Sequence, residues 1–290
     1  MATQAVLIPQ DVTSDTTWRA WGLGFHNALA ALGTVVQTSD TGQANWATAT
    51  RSAGAYEIWR FNDTLQSTAP AFWKFSFLNA GTNCRVQIEL ASGTDGAGNL
   101  TGRIGSLFNH DLSNDTANAQ QYYFSSTPSR LTVWMEADAL HNQGVNGALF
   151  TIERSRDNTG TELGSGIMLW IIRNGGAAGC TWIAGSATAV PAALNFSSFQ
   201  HTCIWAGVPS YIAATGQVTA FALNCIGTNY QVQNPPLGIL AYWTTDLALG
   251  TPLPLVRLYG ADRQYINTGA NPAGATIDTT ANCKFMMLYE

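Results

Sequence analysis

The sequence predicts an all-β fold, an antiparallel sandwich or barrel, with one amphipathic helix near the N-terminus. Trp73, Phe75 and Phe77 alternate with Lys74 and Ser76, which is the period of a strand with one buried face. Short apolar segments recur at intervals of roughly ten residues with Gly, Asn or Pro between them, as in sandwiches and barrels. One segment, residues 18–32, has helical spacing instead.

The predicted helix begins near Ser14 and Asp15, both favourable N-cap residues, and ends at Gly33. Large apolar side chains at spacings of three and four form one stripe: Trp18, Trp21, Phe25, Leu29 and Leu32. Gly22 and Gly24 each reduce helix stability by roughly 1 kcal/mol relative to Ala. We therefore expect another part of the chain to pack closely against them.

The N-terminal half predicts several strands around a central hairpin. Residues 55–78 give two aromatic strands joined by the polar turn Asn62-Asp63-Thr64. We predict further strands at residues 34–37, 46–50 and 84–90, loops at residues 92–102 and 109–121, and an apolar N-terminal tail.

The second half continues the β pattern. Strands are predicted at residues 121–125, 131–136, 148–154, 166–173, 181–184, 200–206, 217–226, 237–243, 255–259 and 283–289. Polar residues around 109–119 suggest a division into 1–110, the helix with a β subdomain, and 111–290, a sandwich-like domain. One compact unit is the alternative.

Composition excludes several classes of function. With 13 Lys plus Arg against 18 Asp plus Glu, the chain lacks the basic stripe that nucleic-acid binding requires. The longest apolar run, residues 167–172, is too short for membrane insertion. Charged residues make up only 11% of the chain, which favours a subunit that associates with itself. The N-terminus lacks the pattern of a signal peptide, so we expect synthesis in a cytoplasm.

The sequence shows no cofactor motif and no metal motif. There is no GxSxG, phosphate-binding loop or dinucleotide fingerprint. The five cysteines contain no CxxC pair and are interpreted as small buried side chains. His26 lies beside the helix stripe, and we interpret it as a half-buried histidine bonded to backbone or water.

Strand carboxylates leave one enzymatic alternative open. Two acids on distant strands can face each other as in a glycosidase, and the strand acids are Glu57, Glu89, Glu136 and Glu153. The simpler interpretation is that they face solvent as partners of nearby arginines. Calcium is a second alternative, at the loops 95–99, 109–115 and 157–162, where Asp and Asn also suit tight turns.

Three blocks, WRAWGLGFHNALAALG, SDTGQANWATATR and AYEIWRFNDTLQSTAPAFWKF, resemble in order and spacing the opening of a family of tailed-bacteriophage virion structural proteins. The later IERSRDNTG and RLYGADRQYINTG are similar to the same family but less distinctive. The family includes tail, fibre and baseplate components. The resemblance implies a β-rich structural subunit present in many copies, with no catalytic residues to carry over.

These observations give one expected function and two alternatives. We expect a non-enzymatic virion subunit, made in the host cytoplasm, that forms a homotrimer or homohexamer and binds other virion proteins in the tail or its host-facing tip. A host-surface glycan is a candidate partner. The alternatives are a capsid decoration or head-fibre protein and a tailspike-like polysaccharide hydrolase. The residues expected in helix-to-sheet packing or assembly are Trp18, Trp21, Phe25, Tyr56, Trp59, Trp73, Phe75 and Phe77.

Overall fold

The fold class predicted from sequence is confirmed: the chain is built mostly from antiparallel strands, with one α-helix near the N-terminus of its described part. The computed structural model describes residues 1–81, 83–112, 114–135, 148–157, 159–173, 179–182, 194–195, 219–222, 225–226, 232–233, 237–243, 250–253, 255–270 and 283–290. The strand predicted at residues 200–206 lies outside these ranges. The side chains of the five cysteines are not among those that the structure describes.

In chain order the elements of the first half are β1 (Ala2–Gln10), α1 (Asp15–Leu32), β2 (Val35–Gln37), β3 (Ala55–Phe61), a 3₁₀ turn (Thr64–Ser67), β4 (Phe72–Ala80), β5 (Asn83–Thr94), β6 (Leu100–Leu112), β7 (Asp115–Thr127) and β8 (Arg130–Met135). Those of the second half are β9 (Ala148–Arg156), β10 (Glu162–Arg173), β11 (Gly179–Trp182), β12 (Leu194–Asn195), β13 (Thr219–Ala222), β14 (Cys225–Ile226), β15 (Val232–Gln233), β16 (Ile239–Trp243), β17 (Val256–Leu258), β18 (Ala261–Arg263), β19 (Tyr265–Ala270) and β20 (Cys283–Leu288).

Two sheets form a sandwich. The five-stranded sheet has the order β2-β3-β4-β5-β6, and the seven-stranded sheet has the order β1-β7-β8-β9-β10-β11-β12. Their inner faces share one apolar core, in which Phe75 of β4 contacts Phe150 of β9 with ring centroids 5.8 Å apart. Alternation produces this core, because Trp73, Phe75 and Phe77 are all buried on one face of β4.

The helix α1 lies beside the edge strand of each sheet. It packs along β1 of the seven-stranded sheet and also contacts β2 of the five-stranded sheet. Ser14 caps its first turn in a capping box with Thr17, and Gly33 ends it in the left-handed conformation. The helix therefore closes one side of the sandwich, and its apolar stripe joins the common core.

A smaller C-terminal sheet packs on the outer face of the seven-stranded sheet. Its order is β13-β16-β20-β19, and among the described side chains its own core consists of Leu237, Leu240, Leu253, Tyr265, Met286 and Leu288. Gly238 makes the close approach possible, since a Cβ there would lie 2.2 Å from Thr151 Oγ1. Two further ladders, β14-β15 and β17-β18, have two strands each.

Three local predictions were wrong. The N-terminal tail is the strand β1, and most of residues 109–121 continue β6 or begin β7, because ladder hydrogen bonds and one buried face outweigh a polar composition. Residues 46–50 form turns rather than a strand. There the Asn45 side chain accepts from the Ala47 N–H at 3.0 Å, and the Asn45 carbonyl accepts from the Ala49 N–H at 2.8 Å.

The division predicted near residue 110 lies within β6, and strands on the two sides of it pair with each other. β1 pairs with β7, with Ala2 opposite Ser126 and Ile8 opposite Gln120. The core of the sandwich likewise includes residues from both sides of position 110. Hydrogen bonds and apolar packing therefore cross this position.

Candidate functional site

Seven of the eight residues singled out from sequence lie in the core between α1 and the hairpin β3-β4. Their side chains have 2% or less of their surface exposed: Trp18, Trp21, Phe25, Trp59, Trp73, Phe75 and Phe77. They pack helix against sheet and are not exposed at the surface. The eighth, Tyr56, lies on the outer face of β3 and lines a surface cavity.

Phe25 connects the helix to both sheets. The centroid of its ring lies 5.3 Å and 5.5 Å from the ring centroids of Phe75 and Phe77 in the five-stranded sheet. It lies 5.3 Å and 6.4 Å from those of Phe124 and Tyr122 in the seven-stranded sheet. The four contacts are edge-to-face, the arrangement that aromatic quadrupoles favour. Phe25 is therefore the central packing residue of the helix.

One buried carboxylate, Glu57, joins the helix, a loop and the hairpin. It is fully buried, and its Oε1 accepts from His26 Nδ1 at 2.8 Å and from Trp46 Nε1 at 2.7 Å. Its Oε2 accepts from Trp59 Nε1 at 3.0 Å. The three donors compensate for the loss of water around the carboxylate. The hydrogen bond to Glu57 raises the pKa of His26 above its ordinary value, although partial burial acts in the opposite direction.

The loop between β2 and β3 contacts the helix where Trp46 packs on Gly22. A Cβ at Gly22 would lie 2.0 Å from the Trp46 ring, so only glycine admits the indole at this point of α1. Trp46 also contacts Trp18 and Phe77, with ring centroids 5.4 Å and 5.1 Å apart. The close packing expected at this glycine is present, and it brings the Trp46 N–H to Glu57.

The interpretation of Glu57 as solvent-facing was wrong, because this carboxylate is fully buried. His26 is half-buried as expected, but its partner is the Glu57 carboxylate. A signal was present in the sequence, because period two places Glu57 on the same face as Trp59 and Phe61. That face is the buried one. Its hydrogen-bond donors come from distant positions, which no local pattern reveals.

Of the other described strand acids, Glu89 pairs with an arginine as expected, whereas Glu153 differs because it does not face solvent. Glu89 pairs with Arg103 at 3.1 Å, and Arg85 pairs instead with Asp111 at 2.6 Å. Glu153 is fully buried, whereas the partners expected for it were surface arginines. Glu136 lies outside the described residues.

Glu153 belongs to a polar layer between the seven-stranded sheet and the C-terminal sheet. Its Oε2 accepts from Arg156 Nη1 at 2.9 Å and from the Leu237 N–H at 3.1 Å. Burial raises the pKa of Glu153, and the nearby arginines Arg156 and Arg130 oppose this. Burial likewise lowers the pKa of Arg130 to about 10, so its guanidinium stays charged at neutral pH. The layer is enclosed and attaches the two sheets to each other.

The acidic loops are held by turn hydrogen bonds. Asp95 Oδ1 accepts from the backbone N–H groups of Ala97 and Asn99 at 2.8 Å and 3.0 Å. Asp115 and Asp157 make equivalent bonds to residues two to four positions later. Within the described residues no group of three or more His, Cys, Asp or Glu side chains is placed to hold a metal ion.

A concave site lies on the outer face of the five-stranded sheet. It has a volume of about 350 Å³ and is lined by residues of the 42–55 loop region and of β3 and β4, among them Asn45, Thr48, Tyr56, Lys74 and Ser76. Lys74 Nζ lies 3.8 Å from the centroid of the Tyr56 ring and donates to the Gly98 carbonyl at 2.9 Å. The site therefore combines a cation, an aromatic ring, hydroxyls and an amide.

No protein-family model matches the chain, and neither a curated protein nor a solved structure matches it. Within the described ranges, no helix has both the length and the hydropathy needed to cross a membrane.

Proposed function

We propose that this protein is a non-enzymatic structural subunit of a tailed-phage virion, present in several copies in the tail or its host-facing tip. The observation that carries the proposal is the convergence of the three resembling blocks on Glu57. The first block supplies His26, the second supplies Trp46, and the third supplies Glu57 and Trp59. Blocks distant in sequence thus form one tertiary unit, which supports a shared structural role.

The two buried strand acids favour a scaffold over a hydrolase. Glu57 and Glu153 are both enclosed and both use oxygen atoms to accept hydrogen bonds from the protein itself. A glycosidase instead needs two carboxylates that reach the sugar on either side of the scissile bond. The placement of these two acids supports a role in holding elements together.

Exposed leucines on edge strands support self-association. Leu7 lies on β1, the edge of the seven-stranded sheet, and Leu107 lies on β6, the edge of the five-stranded sheet. Their side chains are 67% and 42% exposed. Exposed apolar side chains are surfaces on which another chain can pack. Because α1 lies along β1, assembly there would use the outward side chain of Leu7 and leave the helix-to-sheet packing unchanged.

The first test is the mass of the purified protein by light scattering, together with antibody labelling of virions from a phage that encodes it. We expect a trimer or hexamer and label on the tail. Replacing Leu7 or Leu107 with Glu should reduce the mass, whereas Leu255→Glu, equally exposed on the C-terminal part, is the matched control. Label following the capsid lattice would favour the decoration alternative, and absence from virions would overturn the proposal.

A further inference from the structure

The cavity beside Tyr56 contains an incompletely bonded cation. The ammonium of Lys74 has three N–H groups, and one of them donates to the Gly98 carbonyl. Its other two N–H groups have no acceptor among the described residues, although one face of the Tyr56 ring lies against the ammonium. Burial lowers the pKa of Lys74 below its ordinary value, and the nearby carboxylates of Glu89, Asp95 and Asp40 act in the opposite direction. A half-buried cation with unused donors favours an anionic ligand.

Uncharged polar groups line the same cavity. Asn45 uses its side-chain oxygen for the Ala47 N–H, and its NH₂ group has no acceptor in the described part of the chain. The hydroxyls of Thr48 and Ser76 also line the cavity and make no hydrogen bond within the described ranges. Small apolar side chains complete the lining: Ala44, Ala49, Ala53, Ala55 and Leu78. Hydroxyls, an amide and an apolar floor suit a sugar, which has both O–H groups and a C–H face.

The wall of the cavity is preorganised. Tyr56 Oη donates to the Thr41 carbonyl at 3.0 Å, and a Cβ at Gly98 would lie 1.9 Å from this oxygen. Gly98 has a φ of 89°, a conformation that glycine adopts without strain. Asp40 joins the loop before β3 to the turn between β5 and β6. Its Oδ2 accepts from Thr94 Oγ1 at 3.1 Å, and its Oδ1 accepts from the Gly98 N–H at 3.4 Å. A wall fixed in this way loses little conformational entropy on binding.

We propose that this cavity binds one carboxylated sugar unit, such as a hexuronate, with its carboxylate on Lys74 and its hydroxyls on Asn45, Thr48 and Ser76. A carboxylate fits better than a phosphate because the lining offers one lysine and no arginine. The volume is in the range of small-molecule sites. A role in contact with a host-surface glycan rests on the proposed function, whereas binding of the sugar does not.

The test is titration of the intact protein with glucuronate, followed by calorimetry or ligand-observed NMR. Glucose and acetate are the comparison probes, since each carries half of the recognised chemistry, and inorganic phosphate tests for a site specific only for charge. We expect saturable glucuronate binding that is about tenfold or more tighter than that of any of the three. Equal binding of acetate or phosphate, or no saturation by glucuronate at tens of millimolar, would overturn the proposal.

Matched variants locate the binding. Lys74→Gln should weaken glucuronate binding at least tenfold and leave the weak binding of glucose unchanged. Arg85→Gln removes the same charge from the outer face of the same sheet, outside the cavity, and should have no effect. Asn45→Ala, which keeps Lys74, should weaken both sugars. Equal effects of Lys74→Gln and Arg85→Gln would contradict the proposed site.

The sugar-binding test and the virion-labelling test can fail independently of each other. A protein that labels the phage tail but does not bind glucuronate overturns this inference and leaves the virion role intact. A protein that binds glucuronate through Lys74 but is absent from virions supports the site and overturns the role.

Discussion

Replacing Phe25 with Ala should strongly destabilise the protein. The ring is fully buried and contacts aromatic rings from both sheets. Truncating a buried Phe costs roughly 3–5 kcal/mol, and the cost depends on how far the site can collapse. The rings around Phe25 are held by strands of two opposed sheets, so collapse is limited and we expect about 4–5 kcal/mol. At about 2–4 °C per kcal/mol, the melting temperature should fall by roughly 8–20 °C.

The assay is urea unfolding followed by tryptophan fluorescence, with light scattering at two protein concentrations to separate stability from association. Leu23→Ala is the matched control, since Leu23 lies on the same helix with 42% of its surface exposed. It should change stability by only about 0.5 kcal/mol. Benzene should bind the apolar cavity of Phe25→Ala and raise its melting temperature, without doing so in the wild type. A loss for Phe25→Ala no larger than that of the control would refute the packing described for the helix.

Two further predictions concern charged groups. The pKa of His26 is raised in the folded state, so protonation of His26 stabilises the fold. This stabilisation is fully present at pH values below the pKa of the unfolded chain, about 6.5, and is lost as the pH rises through the pKa of the folded state. The stability difference between wild type and His26→Gln, from urea midpoints at about pH 5.5 to 8.5, should therefore shrink with rising pH; a constant difference would contradict this. Arg154→Met should cost about 3–5 kcal/mol, because it leaves the largely buried carboxylate of Asp63 without its arginine, whereas Arg85→Met, in a partly exposed pair, should cost about 0–1 kcal/mol. Equal losses on chemical unfolding would show that burial does not decide the strength of these pairs.

Local patterns predicted the fold class and the helix well. The alternation at Trp73, Phe75 and Phe77 placed three rings on the buried face, and Ser14 and Gly33 marked the ends of α1. These features depend on side-chain period and backbone conformation, which a short segment of sequence determines.

The features that sequence did not predict depend on partners far along the chain. Whether Glu57 faces solvent or core is decided by donors at His26 and Trp46. The surface cavity likewise depends on the pairing of β3 with β4, which brings Tyr56 beside Lys74, and on the bond from Lys74 to the distant Gly98 carbonyl. The polar stretch at 109–121 looked like a loop because its strand partners in β5 and β1 are not its neighbours in sequence.

The pairing of β1 with β7 has a consequence for biosynthesis. Ala2 is opposite Ser126, so the first strand of the protein has no ladder partner until residues 115–127 have left the ribosome. At about 5–20 residues per second, that interval is roughly 5–25 s. During this interval α1 is already synthesised, but the edge strand along which it packs is not yet part of a sheet. The helix side of the sandwich is therefore completed late, after most of the five-stranded sheet has been synthesised.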